Sequence, residues 1–591
     1  MRLIAATVFM LLATACSGGG GSGGGPSRRA QAPVAPYCPY LPSNTYSSPT
    51  TVTGTAAYEY RTDGNGAVAG TTRPIRYAEV QVTNSAGTIV QCSETNSSGA
   101  FTFQLPSDSA TYTVSVVSRA NNAYNTAYVM NNPFDNVAYK VSASVTASGS
   151  PTATLTALAT GNLIGGAFNI LDQIYASQDY LRTKTASCNS APSTNYFPDC
   201  TPFTVAPIVY TFWTAGLTPS TYAGTTGGIS YYGTPDGYES MRGLYILGGV
   251  NGDTESSDMD HFDNSVIVHE YAHFLEYTYG RMDSPGGSHS GNGIIDPRLA
   301  WGEGWADFLQ GVVLNGIYRD TYGHTGCSGT NSEGLPGCTG VTINEDLSLN
   351  PGTCGSTCHD KPTEAGEGDF REFSIARLLY QVARSGGTSQ FSEIWTVVRG
   401  PTYGMGVISD RFKAIGRVHK IQQAIVGAVN WNSLRSTEYQ ASDLSGYATP
   451  FNTSCSSTSR PMAIRMATSD TDEFTTSDQL RNNDFIIYTH AGGTLTLGLS
   501  WSGASNADLD LFVYPQGYLF GADGSRYSYG WSVAARTSTS TTSGTESIST
   551  TLAAGNYMIN VKAYTGIYSS VGTYNTTYNL TLNSSPVCLT P

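Results

Sequence analysis

At 591 residues the chain exceeds what one hydrophobic core normally organises, and roughly two to four domains are expected. Charged residues make up only 13% while Gly, Ser, Thr, Asn and Tyr abound, which sets it apart from ordinary cytosolic enzymes. A net charge of −14, with no run of Lys and Arg interleaved with aromatics, argues against a nucleic-acid partner.

Residues 1–15, MRLIAATVFMLLATA, place Arg2 before an apolar stretch that ends in small residues. The stretch is too short and too early for a membrane-spanning helix of a mature protein, and it reads as a secretory signal. Residues 16–49 open with CSGGGGSGGGPS, a flexible tether. LLATAC resembles the lipobox of bacterial lipoproteins, although Leu12 sits one place further upstream than usual. The resemblance implies that Cys16 is lipidated and that this lipid is the sole membrane association. Ser17 beside it implies an outer-membrane address in a Gram-negative bacterium. The alternative is ordinary signal cleavage and free secretion. Without Cys16 ten of the eleven cysteines remain, and Cys188/Cys200, Cys327/Cys338 and Cys354/Cys358 lie close in sequence. In an exported chain such spacings suggest disulfides that pin loops. Cys354, Cys358 and His359 raise a metal site, but a zinc knuckle takes about four ligands and a loop disulfide is preferred. The pairing of Cys38, Cys92, Cys455 and Cys588 stays open.

Residues 50–155 read as a β-sandwich. YAEVQV (77–82), AFTFQL (100–105) and TYTVSVV (111–117) alternate apolar and polar residues between turn residues. The stretch RPIRYAEVQVTNSAGTIVQCSETNSSGAFTFQL resembles carboxypeptidase-regulatory or prealbumin-like modules, which implies a spacer or adhesion unit without catalysis. Residues 160–445 change character. Apolar positions 168, 171, 174, 175 and 181 suit an amphipathic helix over 168–183. GISYYG and GLYILGG (243–249) read as strands, and 264–279, 302–315 and 370–384 as helices. The mixture predicts a central α+β domain. Residues 465–591 return to short strands, a second sandwich or jelly-roll. LTLGLSWSGASNADLDLFVY with TLAAGNYMINVKAY resembles the bacterial pre-peptidase C-terminal domain, which rides on secreted proteases. Asp508 and Asp510 share a strand face there. They are read as solvated outer-face positions, with calcium as the alternative.

The chemistry concentrates in VIVHEYAHFLEY, residues 266–277. On a helix, His269 and His273 share a face and present two imidazoles to one Zn2+, with Glu270 beside them as general base. Asp263 and Asn264 supply the helix cap. The metzincin pattern fails, because residues 276 and 279 are Glu and Tyr. WGEGWADF, starting at Trp301, resembles the ExxxD motif of gluzincin metallopeptidases. That resemblance implies Glu303 as third zinc ligand and Asp307 as the carboxylate that orients His269. Gly302 and Gly304 would let the second helix approach the first, and residues 283–299 would lengthen the gap between the motifs. The diagnostic histidine segment of thermolysin-like enzymes is not evident. His289 competes with Glu303 as third ligand, and Glu276 reads as a helix-surface carboxylate.

Peptide substrate is expected to pair with an exposed edge strand, for which Gly243, Leu244, Tyr245, Ile246 and Leu247 are the candidates. Tyr380 is the candidate transition-state donor, with His359 and His324 as alternatives. Asp258, Asp260, His261 and Asp263 form either a calcium loop or an acidic rim. The expected function is a zinc metalloendopeptidase acting on extracellular proteins or peptides, since no anchor for a chain terminus is visible. A surface-display, adhesion or glycan-binding protein, and a zinc hydrolase of non-peptide esters or amides, are the competing classes.

Overall fold

The computed structural model describes residues 31–41, 44–61, 68–189, 201–223, 229–235, 239–254, 257–280, 282, 284, 297–314, 372, 375–376, 379, 391–399, 451–452, 459–466, 483–503, 507–515, 536–538, 544–563 and 572–589. The expectations at Cys16, His289, His324, Cys327, Cys338, Cys354, Cys358, His359 and Tyr380 lie outside these residues. Among the described residues no helix is long and apolar enough to cross a membrane.

The first part is β throughout: β1 (Pro49–Arg61), β2 (Val68–Pro74), β3 (Glu79–Thr83), β4 (Ile89–Glu94), β5 (Ala100–Pro106), β6 (Thr111–Val117), β7 (Arg119–Asn121), β8 (Thr126–Met130), β9 (Lys140–Thr146) and β10 (Thr152–Ala157). One sheet has the order β10-β1-β2 with β5 also on β1, and the other has the order β4-β3-β6-β9. Period-two alternation turns Val80, Val82, Val114 and Val116 toward Val52, Phe101, Phe103 and Leu105 in a shared core. A disulfide joins Cys38 to Cys92, which settles two of the open cysteines and pins the segment before β1. Cys188 is also disulfide-bonded, while Cys200 lies outside the described residues. Arg119 and Glu79 form an ion pair at 2.7 Å, buried to 3% and 0% exposure. Arg119 also donates to the carbonyls of Ala35 and Pro36, and the Cys38 amide donates to Glu79. The charges therefore have several partners, as burial requires.

The second part holds α1 (Ile164–Thr185), β11 (Val209–Trp213), α2 (Pro219–Ala223), β12 (Tyr231–Gly233), β13 (Gly243–Ile246), α3 (Asn264–Tyr279), α4 (Pro297–Val313) and α5 (Phe391–Arg399). Its sheet has the order β12-β13-β11-β8-β7, so two of its five strands come from before residue 155. β8, β11 and β13 run parallel, and their nearly continuous apolar segments are buried on both faces. Ala127, Val129, Trp213, Leu244 and Ile246 face the core that holds α1, α3 and α4. Tyr128, Met130, Phe212 and Tyr245 face the opposite way, onto Tyr37. The division at residues 155–160 is thus not a boundary between two cores. Polar contacts span it as well: Tyr58 donates to Asp172 at 2.8 Å, and the Arg76 Nε donates to the same carboxylate at 2.6 Å. A strand such as TAYVM cannot reveal by itself that its partner begins at Val209, because that pairing is non-local.

A chain begun at residue 160 lacks β7 and β8 and exposes one side of β11. Cut at residue 445 to leave out the separate C-terminal core, it should fail to show a cooperative urea transition, whereas a chain spanning 31–445 should show one. A cooperative transition in the shorter chain would contradict the shared core.

The third part holds β14 (Phe451–Asn452), β15 (Ser459–Met466), β16 (Asn483–His490), β17 (Gly493–Gly503), β18 (Leu509–Pro515), β19 (Arg536–Ser538), β20 (Thr545–Leu552), β21 (Gly555–Ala563) and β22 (Gly572–Leu582). Two sheets, β15-β22-β17-β20 and β16-β21-β18-β19, meet over Leu495, Leu497, Leu499, Leu509, Leu511, Val513, Ile559 and Val561. Asp508 and Asp510 are buried, not solvated as the strand alternation suggested. Burial, then the nearby Glu546, pushes the Asp508 carboxyl above its ordinary range.

Candidate metal centre

α3 begins where its cap places it. Asp263 Oδ1 accepts from the backbone N–H of Ser265 at 3.0 Å and of Val266 at 3.5 Å. His269 and His273 then fall on one face, with their Nε2 atoms 3.2 Å apart. α4 lies against α3 and brings Glu303 Oε2 to 3.1 Å from His269 Nε2 and 3.2 Å from His273 Nε2. Asp307, one turn on, places Oδ1 3.1 Å from His269 Nδ1. That carboxylate takes the Nδ1–H and leaves the Nε2 lone pair aimed at the other two atoms.

This triangle suits a cation. Ligands at about 2.0–2.1 Å around a tetrahedral zinc lie roughly 3.3 Å from one another. Two imidazoles and a carboxylate are also a known catalytic zinc donor set. Among the described residues, His269, His273 and Glu303 are the group of metal-ligating side chains whose donor atoms converge. Burial opposes charge on His269, yet hydrogen bonds to Asp307 and Glu303 outweigh it and hold its pKa well above the ordinary value. Burial opposes charge on His273 too, and Glu303 more than offsets it. The site therefore favours positive charge.

Glu270 sits beside the triangle, 8% exposed. Burial pushes its carboxyl above the usual carboxylate range, against the pull of His269 and His273. A backbone hydrogen bond from Tyr232 favours its ionised form. Tyr232 belongs to β12, so the edge of the sheet lies next to this carboxylate.

No family model and no curated protein matches the chain. Among solved structures it is similar to the pre-peptidase C-terminal domain of a collagenase from Bacillus anthracis, at 8% identity and TM-score 0.14, covering 21% of this chain and 88% of that one. It is also similar to PliG, a periplasmic inhibitor of g-type lysozyme from Aeromonas hydrophila, at 12% identity and TM-score 0.15, covering 23% of this chain and 96% of that one. Overlaps this small carry no argument about activity, and the site is read from its own geometry.

Several expectations change. Gly243, Leu244, Tyr245 and Ile246 do not form an edge strand. β13 is paired on both sides, with β12 and β11, and is buried along its length, while Leu247 lies just past its end. Among the described residues the strand at this end of the sheet is β12, Tyr231–Gly233. Glu276 is not a surface carboxylate. It is 1% exposed and accepts from Trp301 Nε1 at 3.1 Å. Gly302 does face α3, where an added Cβ would lie 3.4 Å from Glu276 Oε2. Gly304 instead faces residues Glu372 and Ile375, whose nearest atoms would lie 2.5 and 2.7 Å from a Cβ.

The acidic loop is an exposed rim only in part, since Asp258 is exposed while Asp260 and His261 are buried. Asp263 caps α3 and Asp260 accepts from Ser230 Oγ at 2.5 Å. His261 points inward, its ring 4.9 Å from Trp213 and 4.6 Å from Phe262. α1 passes so close that a Cβ at Gly166 would meet the ring at 2.4 Å.

Burial, then Arg61, holds the His261 pKa down to about 3. Its unfolded value is about 6.5. Between these values the unfolded chain binds the extra proton, so stability is lost as pH falls, by about 1.4 kcal/mol per pH unit from this group. His261→Phe should remove that part of the slope. Urea midpoints measured from pH 6.5 downward check it, and an unchanged slope would refute it.

Proposed function

We propose that the chain is a zinc metalloendopeptidase that hydrolyses peptide bonds in proteins outside the cytoplasm. The observation that carries the reading is the convergence of His269, His273 and Glu303 with Glu270 alongside. Zinc, when bound, supplies a Lewis acid that lowers the pKa of water and polarises a carbonyl. His269, His273 and Glu303 would hold it. Asp307 keeps His269 in the tautomer whose Nε2 is free to donate its lone pair. Glu270 accepts a proton from water as it attacks the scissile carbonyl, then passes it to the leaving amine. An extended peptide laid along β12 would extend the sheet, with backbone hydrogen bonds giving affinity independent of side chains. That mode suits a substrate gripped in mid-chain.

The signal-like residues 1–15 and the lipobox-like LLATAC support export and lipid attachment at Cys16. The Cys38–Cys92 disulfide supports an oxidising compartment. The C-terminal sandwich supports a place on a secreted protease through the sequence resemblance noted above.

A quenched internal peptide, blocked at both ends, tests the activity. Its cleavage should stop on chelation and return with zinc. Ester hydrolysis with no peptide cleavage by the zinc-loaded chain would overturn the reading.

A further inference from the structure

The metal triangle requires a carboxylate on α4 to meet two imidazoles on α3 within a few tenths of an ångström, and none of the three side chains can enforce that alone. Around α4 each residue advances roughly 100°. Gly302 faces α3, and Trp301 and Trp305, one turn apart, lie on one flank of that face. Glu303 and Asp307, also one turn apart, lie on the other flank. Both indoles reach α3 from their side. Trp301 Nε1 donates to Glu276 Oε1 at 3.1 Å, and Trp305 Nε1 donates to the Ala272 carbonyl at 3.1 Å. These two acceptors bracket His273 along α3, one residue before it and three after it. Both tryptophans are fully buried, and Trp305 is backed by Phe308 at 5.9 Å and Trp395 at 6.4 Å.

We infer that Trp301 and Trp305, with Glu276 as the acceptor for the first, are positioning residues that fix the rotation and register of α4 and thereby place Glu303 at the metal. The inference rests on the zinc reading above. Donor groups on one flank of a helix set the angle at which the opposite flank meets its neighbour. Losing an indole N–H leaves the helix packed but free to rotate slightly, and a misplaced ligand weakens a metal site while the fold survives. Apolar bulk alone would pack the helices equally well. The hydrogen-bonded indoles add a defined angle, and Gly302 leaves room for the approach.

The test uses the full chain, with zinc affinity measured by chelator competition and the visible spectrum of the cobalt-substituted site as a second readout. Trp301→Phe keeps an aromatic ring without the donor, Glu276→Leu removes the acceptor, and Glu276→Gln retains a carbonyl acceptor. We expect Trp301→Phe and Glu276→Leu each to weaken zinc about 10-fold and to alter the cobalt spectrum, as loss of an outer hydrogen bond does elsewhere. The double variant should be no worse than either single one, because both break one contact. Glu276→Gln should recover most of the affinity. Trp305→Phe should behave like Trp301→Phe. Wild-type affinity and spectrum in both Glu276→Leu and Trp305→Phe would overturn the inference while leaving the metal reading intact. Failure of the wild-type chain to bind zinc would overturn both. Should Trp301→Phe not fold, the comparison of Glu276→Leu with Glu276→Gln decides the matter.

Discussion

Glu270→Gln should lower kcat on a peptide substrate by roughly 10²-fold or more, with zinc content unchanged. The carboxylate is not one of the three converging donor atoms, so its loss leaves the metal triangle intact. Glutamine fills nearly the same volume and keeps an acceptor for the backbone hydrogen bond from Tyr232, so α3 and β12 retain their contact. The amide cannot accept the proton of the attacking water. It also avoids placing a carboxylate in a buried position, so the variant should be no less stable than the parent. The comparison is kcat and zinc stoichiometry on the same preparations. Near wild-type turnover with full metal would remove Glu270 from the role of base.

Glu303→Ala should have the largest effect on the metal itself. It removes one of three donor atoms and also leaves His269 and His273 facing each other at 3.2 Å without the carboxylate that favours charge between them. Zinc should bind far more weakly. Asp307→Ala leaves the triangle and should reduce affinity or activity by about 10- to 100-fold, through the loss of the Nδ1 partner of His269. His289→Ala should keep zinc. Competition with a chelator at one fixed pH compares the three, since ligand protonation and metal binding are linked. Zinc retained by Glu303→Ala and lost by His289→Ala would replace this site with three histidines.

The parts of this arrangement that were legible in the sequence are the local ones. Asp263 followed by an apolar run placed the start of α3, and helical spacing put His269 and His273 on one face. Period-two alternation located β5 and β6 within a residue of their observed ends. Pairing between distant segments was not legible. GLYILGG and GISYYG both read as strands, but which of them forms the sheet edge depends on the position of β11, which supplies the second neighbour of β13. The same non-locality hid the transfer of β7 and β8 into the second sheet. Glu276 and His261 read as exposed in the sequence because their side chains are polar, yet both are buried. Their burial is set by the Trp301 indole in one case and by Trp213 and α1 in the other.

The most direct measurement of the central claim is the metal content of the purified full-length chain and of His269→Ala by mass spectrometry of the elements. About one zinc per wild-type chain is expected, the loading of a single site of this donor set, as is its loss in the variant with the fold preserved. A folded wild-type chain that takes up no zinc, or a His269→Ala chain that retains it in full, would contradict the account.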